Sequence, residues 1–293
     1  MDLVRTFADA RSRYRGRVAL VPTMGYFHEG HLALMTAARA GADTVVVSHF
    51  VNRLQFNDPA DLEGYPRDLA RDLALMEAQG VDLTFAPPPT EMFPMEPLTR
   101  VKVSGVGDGL EGLFRPGHFE GVATVVAKLF AGLQPQVALF GRKDAQQLAV
   151  VRRLTADLSF PLSIAGLPTV RESDGLALSS RNVLIKPEDR AAALLLSQGL
   201  FAAARLVESG ETRAGRLREE FTAVAHSLDI DYVELASQDE AEPIGVLDRP
   251  SFLAAAVRVG GVRLIDNVTF DLVGGQVMAD LGVRLDHPSL LYQ

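Results

Sequence analysis

Cysteine is absent from the chain, which excludes a disulfide-stapled scaffold and any thiolate zinc or redox site. Lysine is scarce: only Lys102, Lys128, Lys143 and Lys186 stand among 29 basic residues, and the rest are Arg. Each lysine is therefore mildly informative, because Lys is a compact point charge where Arg is a planar fork. Long apolar runs are missing, and a stretch such as 191–196 falls far below the roughly 20 residues that cross a bilayer. The start, Met1-Asp2-Leu3-Val4-Arg5, lacks the basic-then-apolar layout of a secretory signal. Positive charge is in deficit, 29 Lys+Arg against 37 Asp+Glu for a formal −8, which argues against wrapping nucleic acid. The phosphate loop G-x-x-x-x-G-K-[ST] does not occur, and Gly105-Val-Gly-Asp-Gly109 lacks the dinucleotide spacing G-x-G-x-x-G. These absences leave a cytoplasmic enzyme or small-molecule binding protein, with neither nucleic acid nor membrane as partner.

What is present is a chain of 293 residues, 47% apolar, long enough for two domains. Short apolar runs, 18–22, 44–50, 83–86, 137–140 and 162–170, alternate with helical patterns over 32–40, 67–79, 122–133 and 145–158. Continuously apolar strands alternating with helices predict an α/β fold, a Rossmann-like doubly wound parallel sheet. After Asn182 the texture changes. Helices are predicted over 187–207 and 212–227, then strands over 231–236 and 252–266, the latter bent at Gly260-Gly261. The expected division is a catalytic domain over 1–172 and a smaller α+β C-terminal domain over 173–293.

In open α/β sheets, ligands sit at the carboxyl ends of the strands where strand order reverses. The first long strand ends in Pro22-Thr-Met-Gly-Tyr-Phe-His-Glu-Gly-His31. Two histidines three apart, at a loop turning into a helix, suit an anion: free backbone N–H groups, the helix dipole and two imidazoles converge there. An isolated histidine is most often a satisfied core or surface residue, as is expected of His226 and His287. His-Glu-x-His is one residue short of the zinc helix H-E-x-x-H, and no third ligand is apparent, so no protein metal site is expected. The acidic residues Asp61, Glu63, Asp68 and Asp72 read as a solvated face rather than a carboxylate pair. Gln55 and Gln147 are neutral amides able to bind hydroxyl and carboxylate oxygens of a small hydroxy acid. Gly141-Arg-Lys-Asp144 follows a strand and opens a helix, and Leu178-Ser-Ser-Arg181 lies in a polar loop.

The segment Val21-Pro-Thr-Met-Gly-x-x-His-Glu-Gly-His resembles the phosphate-binding signature of the pantoate–β-alanine ligase (pantothenate synthetase) family. That family belongs to the H-x-G-H nucleotidyltransferases. Phe50-Val-Asn-Arg-Leu-Gln-Phe56 with Tyr65-Pro-Arg67, and Arg115-Pro-Gly-His-Phe-Glu-Gly-Val-Ala-Thr-Val-Val126, resemble its second and third blocks. Phe140-Gly-Arg-Lys-Asp-Ala-Gln-Gln147, Asp174 to Asn182 and Arg263 to Asn267 complete the set, in order over 18–267. The resemblance implies ATP-dependent condensation of pantoate with β-alanine through a pantoyl-adenylate, releasing AMP and pyrophosphate, with Mg²⁺ accompanying ATP. It implies catalytic roles for His31, His28, Lys143 and Arg181. ATP binding would fall to Met24, Gly25, His28, Gly30, His31, Gly141, Lys143, Asp144, Val170, Leu178, Ser179, Ser180 and Arg181. Pantoate and β-alanine would fall to Gln55, Gln147, Asn52, Tyr65 and Arg115. A cytoplasmic homodimer whose second domain acts as a lid is implied as well. The alternative is another H-x-G-H nucleotidyltransferase, which would lack the paired Gln55 and Gln147 and need no amine. Three departures stand out: His49 where an aliphatic residue is usual, Arg53 where Pro is common, and Tyr26-Phe27 in place of a small residue and Leu.

Overall fold

The computed structural model describes residues 1–292. The chain divides into two compact units: Met1–Gly141 with Val150–Leu167, and Arg142–Ala149 with the chain from Pro168 onward.

The first unit is built on six strands: β1 (Asp2–Val4), β2 (Val18–Thr23), β3 (Thr44–His49), β4 (Leu83–Phe85), β5 (Val137–Gly141) and β6 (Ser163–Leu167). They form one parallel sheet in the order β1-β4-β3-β2-β5-β6, a Rossmann-like arrangement as the alternating pattern predicted. The three residues of β1 were not legible as a strand, because so short a segment has no periodicity to read. Valines and leucines of β2, β3 and β4 are buried on both faces, as parallel strands flanked by helices require. The helix Glu29–Gly41 contributes Leu34, Met35 and Ala38 to this core, and Leu69–Ala78 contributes Met76. Strand order reverses between β2 and β5, so their carboxyl ends flank the crevice where α/β sheets bind ligands. The β2–β3 register pairs Thr23 with His49, setting His49 beside the start of the histidine loop.

The second unit holds the two-residue strand β7 (Val170–Arg171), which pairs with β12 (Val283–Arg284). Its main sheet is antiparallel: β8 (Asp229–Ser237), β9 (Ser251–Val259), β10 (Val262–Val273) and β11 (Gln276–Asp280), ordered β11-β10-β9-β8. The predicted single bent strand over 252–266 is corrected here to two strands. Gly260 and Gly261 both take positive φ, 55° and 82°, which gives a tight two-residue hairpin turn rather than a bend. Gly274-Gly275, at φ 60° and 81°, makes the same turn between β10 and β11. Helices Arg190–Glu208 and Ala214–Val224 bury Leu196, Leu200, Leu217 and Phe221 with Leu253, Val257 and Phe270 of the sheet. By length and composition the 22-residue stretch Pro187–Glu208 could cross a bilayer, although it holds no long unbroken apolar run. Here its apolar residues instead fill the core of the second unit.

Candidate active site

Strand β2 ends with the Thr23 hydroxyl donating to Ser48 O at 2.6 Å, and the chain then turns sharply. Gly25 sits at φ 86°, and a Cβ there would lie 2.4 Å from His49 Nε2, so only glycine fits. Tyr26 also adopts positive φ, 55°, which costs a residue with a side chain about 1–2 kcal/mol. Asp72, fully buried on the helix Leu69–Ala78, offsets that cost. Its carboxylate accepts from Tyr26 N at 2.6 Å, Phe27 N at 2.9 Å and His49 Nε2 at 2.9 Å. Burial pushes the Asp72 carboxyl up, but the bonds from His49, Phe27 N and Tyr26 N together hold it below the usual carboxylate range. The expectation of a solvated Asp72 is therefore corrected. Asp68, by contrast, is exposed and caps its helix by accepting from Arg71 N at 3.0 Å.

His28 is the N-cap of the helix Glu29–Gly41, and the two histidines form a reciprocal capping box. Gly30 N donates to His28 Nδ1 at 3.2 Å, and His28 N donates to His31 Nδ1 at 3.3 Å. A ring nitrogen that accepts carries no proton, so in the neutral form both rings are protonated on Nε2. Two imidazole donors thus stand side by side, ring centroids 4.2 Å apart, at the positive end of a helix. Gly30 is needed because a Cβ would lie 2.9 Å from His28 Cε1.

Five of the backbone N–H groups in this loop, where free ones were expected, have partners within the fold. Tyr26 N and Phe27 N are held by Asp72, His28 N and Gly30 N by the imidazoles, and His31 N by His28 O at 2.8 Å.

At the carboxyl end of β3, buried Asn52 caps the turn Arg53–Gln55. Asn52 Nδ2 donates to Gln55 Oε1 at 3.0 Å and to Gly121 O at 3.1 Å, which fixes the Gln55 amide with Nε2 as its donor end. Asn52 is thus placed as a residue that orients Gln55. His118 and Gly121, which carried no role in the sequence reading, complete this arrangement. His118 Nδ1 donates to Gln55 O at 2.9 Å and accepts on Nε2 from Arg115 Nη1 at 3.4 Å. A Cβ on Gly121 would lie 2.2 Å from Leu54 O, so glycine is what lets the helix His118–Leu133 approach the turn. Both residues lay inside the block from Arg115 to Val126, and the signal that could have found them was glycine within a helical pattern. Tyr65 is buried, its ring edge-on to Phe56 at 5.8 Å.

In the second unit, Lys143 and Asp144 follow Gly141, the last residue of β5, and Lys143 Nζ lies 3.2 Å from Asp144 Oδ1. The backbone there is gripped by Asn267, whose Nδ2 donates to Arg142 O at 3.0 Å and Lys143 O at 2.7 Å. Arg142 is anchored by Asp271 and Asp280, each at 3.2 Å. Gln147 is half-buried in the first turn of the helix Ala145–Asp157. Val170 and Leu178 are brought together by Leu178 N donating to Val170 O at 3.0 Å. Ser179 caps the short turn Ser180–Leu184 through Arg181 N at 3.3 Å. Asn182 ties that turn down by donating to Glu172 Oε1 at 2.8 Å and Ala177 O at 3.0 Å.

A parallel six-stranded sheet with paired histidines where its β2 strand leads into a helix defines an α/β protein of the class that binds ligands at the carboxyl ends of its strands. Comparison with known proteins narrows this. The profile of the family described as pantoate-beta-alanine ligase matches residues 1–269. Pantothenate synthetase of Heliobacterium modesticaldum is 51% identical over 258 residues, 87% of this chain and 92% of that protein. The crystal structure of pantothenate synthetase from Thermus thermophilus superposes with a TM-score of 0.87 at 45% identity, covering 91% of this chain and 98% of that one. Pantoate-beta-alanine ligase from Francisella tularensis, complexed with beta-gamma ATP and beta-alanine, gives a TM-score of 0.75 at 31% identity, covering 91% and 97%. The chain belongs to the pantoate–beta-alanine ligase family and is a ligase that forms an amide bond.

Proposed function

We propose that this chain condenses pantoate with β-alanine to pantothenate in two steps on one ATP. The pantoate carboxylate attacks the α-phosphorus, forming pantoyl-adenylate as pyrophosphate leaves. The β-alanine amine then attacks the acyl carbon, the amide bond forms, AMP departs with the electron pair, and the amine proton is lost. A carboxylate is a poor acyl donor, and the adenylate makes it a good one without any enzyme nucleophile, which suits a chain lacking cysteine.

The observation that carries this reading is the histidine capping box, which holds two Nε2–H donors at a helix N-terminus. Such fixed donors stabilise charge developing on phosphate oxygens without reorganising, the largest kind of electrostatic contribution in group transfer. His31 is the principal catalytic residue in this reading, with His28 beside it. Lys143 and Arg181 are assigned to phosphate charge by the family resemblance, as are the remaining ATP contacts: Met24, Gly25, Gly30, Gly141, Asp144, Val170, Leu178, Ser179 and Ser180. Gln55 and Gln147 are assigned to the pantoate hydroxyl and carboxylate oxygens on the same resemblance, and Asn52, Tyr65 and Arg115 to pantoate and β-alanine. Among the described residues, no group of three or more His, Asp or Glu could hold a metal ion. On the family resemblance Mg²⁺ is proposed to enter as MgATP, held mainly by phosphate oxygens and water as it usually is. Residues 1–172 supply most of the catalytic residues in this reading, and the portion from 173 onward adds Arg181 and serves as a lid that keeps water from the adenylate. A cytoplasmic homodimer is proposed on the same resemblance, and sedimentation at micromolar concentration reads the oligomeric state.

The deciding experiment supplies ATP, Mg²⁺ and pantoate, with and without β-alanine, and follows the phosphorus products. Pyrophosphate and AMP, with sustained turnover only when the amine is present, are expected; ADP and phosphate would overturn the adenylate route. His31→Ala is expected to slow adenylate formation about 100-fold or more, on the scale of losing one preorganised donor.

A further inference from the structure

Two of the chain's departures from the family pattern, at His49 and at the pair Tyr26-Phe27, meet at a single carboxylate. His49 Nε2 bonds Asp72 Oδ2, and the amides of Tyr26 and Phe27 bond its two oxygens. The side chains join as well: Phe27 lies edge-on to His49 at 5.8 Å, and the Arg71 guanidinium sits 5.5 Å over the Tyr26 ring. Asp72 takes no part in the chemistry described above, yet it is a fully buried charged group whose carboxylate hydrogen bonds all run to the signature loop or to the residue beside it.

We propose that Asp72 is a positioning residue for adenylate formation, acting through the loop it clamps, and that His49 fixes Asp72 in its clamping orientation. The inference rests on the ligase reading and deepens it. Asp72 fixes two consecutive peptide groups, holding Tyr26 at positive φ through its N–H. Arg71 Nη1 donates to Phe27 O at 2.9 Å, so residue 27 is held at both its N–H and its carbonyl. Phe27 is wholly buried, and its ring packs on His31 with centroids 5.3 Å apart. His28, the N-cap, is the next residue. A shift of Asp72 therefore reaches both imidazoles within two contacts, and misplacing a catalytic donor by about 1 Å can cost 100-fold in rate. The negative charge of Asp72 is bracketed by His49 and by Arg71 Nη1, 3.8 Å from Oδ1. This limits the repulsion an incoming triphosphate would meet.

The test uses the full chain in three variants: Asp72→Asn, His49→Gln and His49→Leu. Asn presents an amide N–H to a backbone N–H that needs an acceptor, whereas Gln can still donate to Asp72 and Leu cannot. Pantoate-dependent pyrophosphate release without β-alanine reads adenylate formation, alongside the KM for pantoate and a thermal melt. Asp72→Asn is expected to lower the rate about 30-fold, the lower part of the range for a hydrogen bond to a charged group, with KM changed less than about threefold. His49→Gln should stay within about threefold of the unsubstituted chain and His49→Leu should fall below it by about fivefold or more, the loss being one of three bonds to the clamp. A folded Asp72→Asn with an undiminished rate would overturn the proposal, and so would a Leu variant as fast as the Gln variant. Should Asp72→Asn not fold, the His49 pair decides. No pantoate-dependent pyrophosphate from the unsubstituted chain would sink the ligase reading itself; release that ignores all three substitutions would sink only the clamp.

Discussion

Replacing Asp266 with Ala removes the counter-charge of the most deeply buried cation in the second unit. Arg171 and Asp266 are both inaccessible to solvent. All five N–H groups of Arg171 are used: Nη1 donates to Asp266 Oδ2 at 2.6 Å and Gly175 O at 3.3 Å, and Nη2 to Asp266 Oδ1 and Asn267 O, each at 3.1 Å. Nε donates to Leu281 O at 2.5 Å, and the guanidinium also stacks 4.8 Å from the Phe201 ring centroid. In Asp266→Ala two of the five bonds and the whole compensating charge vanish, while the guanidinium stays buried. Breaking such a pair costs about 3–5 kcal/mol. Asn267 N also loses its acceptor, at 2.7 Å, and Asn267 is the residue that grips the carbonyls of Arg142 and Lys143. Against a total stability of about 5–15 kcal/mol the substitution is severe, and at about 2–4 °C per kcal/mol the melting temperature should fall by roughly 10 °C. Urea unfolding followed by circular dichroism measures the loss. The companion is Arg171→Met with Asp266→Leu, which removes both charges. It leaves three carbonyls short of a donor, so it is not neutral, but it should cost well under the sum of the two single changes. A loss below about 1 kcal/mol for Asp266→Ala, or strict additivity in the cycle, would refute the claim that the pair is energetically coupled.

Gln55→Ala should weaken pantoate binding at least tenfold while leaving ATP binding nearly unchanged, because the amide held by Asn52 is a dedicated hydrogen-bonding group; an unchanged pantoate titration would count against it. Gly25→Ala should abolish adenylate formation in a protein that still melts cooperatively, since its Cβ would displace His49 and disturb Asp72, and normal pyrophosphate release would contradict the tight approach. Tyr14 has a buried hydroxyl with no hydrogen-bond partner among the described residues, and burial pushes it up to about 12. The unfolded chain ionises near 10, so stability is intact below pH 10 and falls between about 10 and 12. Tyr14→Phe should lessen that alkaline loss, though not erase it, because burial and the neighbouring Glu172 raise Tyr292 to about 12 as well. A denaturation series from pH 8 to 11 reads the difference.

The loop after β2 shows what residue type can and cannot disclose. Its two histidines were legible because their spacing and their place at a strand end and helix start are written in the sequence, and the parallel sheet was legible because its strands are continuously apolar. Asp72 was not. By composition it belongs with Asp61, Glu63 and Asp68, and a charge among charges reads as solvated. What buries it is a set of backbone amides more than 40 residues away, and amides leave no mark on a side-chain pattern. The same holds for the loop's own amides. Free N–H groups were expected at the helix start, and a buried carboxylate and two imidazoles engage four of the loop's amides. Hairpin turns failed for a related reason: the β-rich run across Gly260-Gly261 is continuous in hydropathy, and only the positive φ of both glycines separates two strands from one. With the amides of Tyr26, Phe27, His28, Gly30 and His31 bonded within the fold, what the loop presents depends strongly on the orientation of its paired imidazoles. That orientation is set by His28, Gly30 and His31 from within the loop, and by Asp72 from outside it. A chain that keeps H-x-G-H but loses the carboxylate would retain the motif and misplace the chemistry.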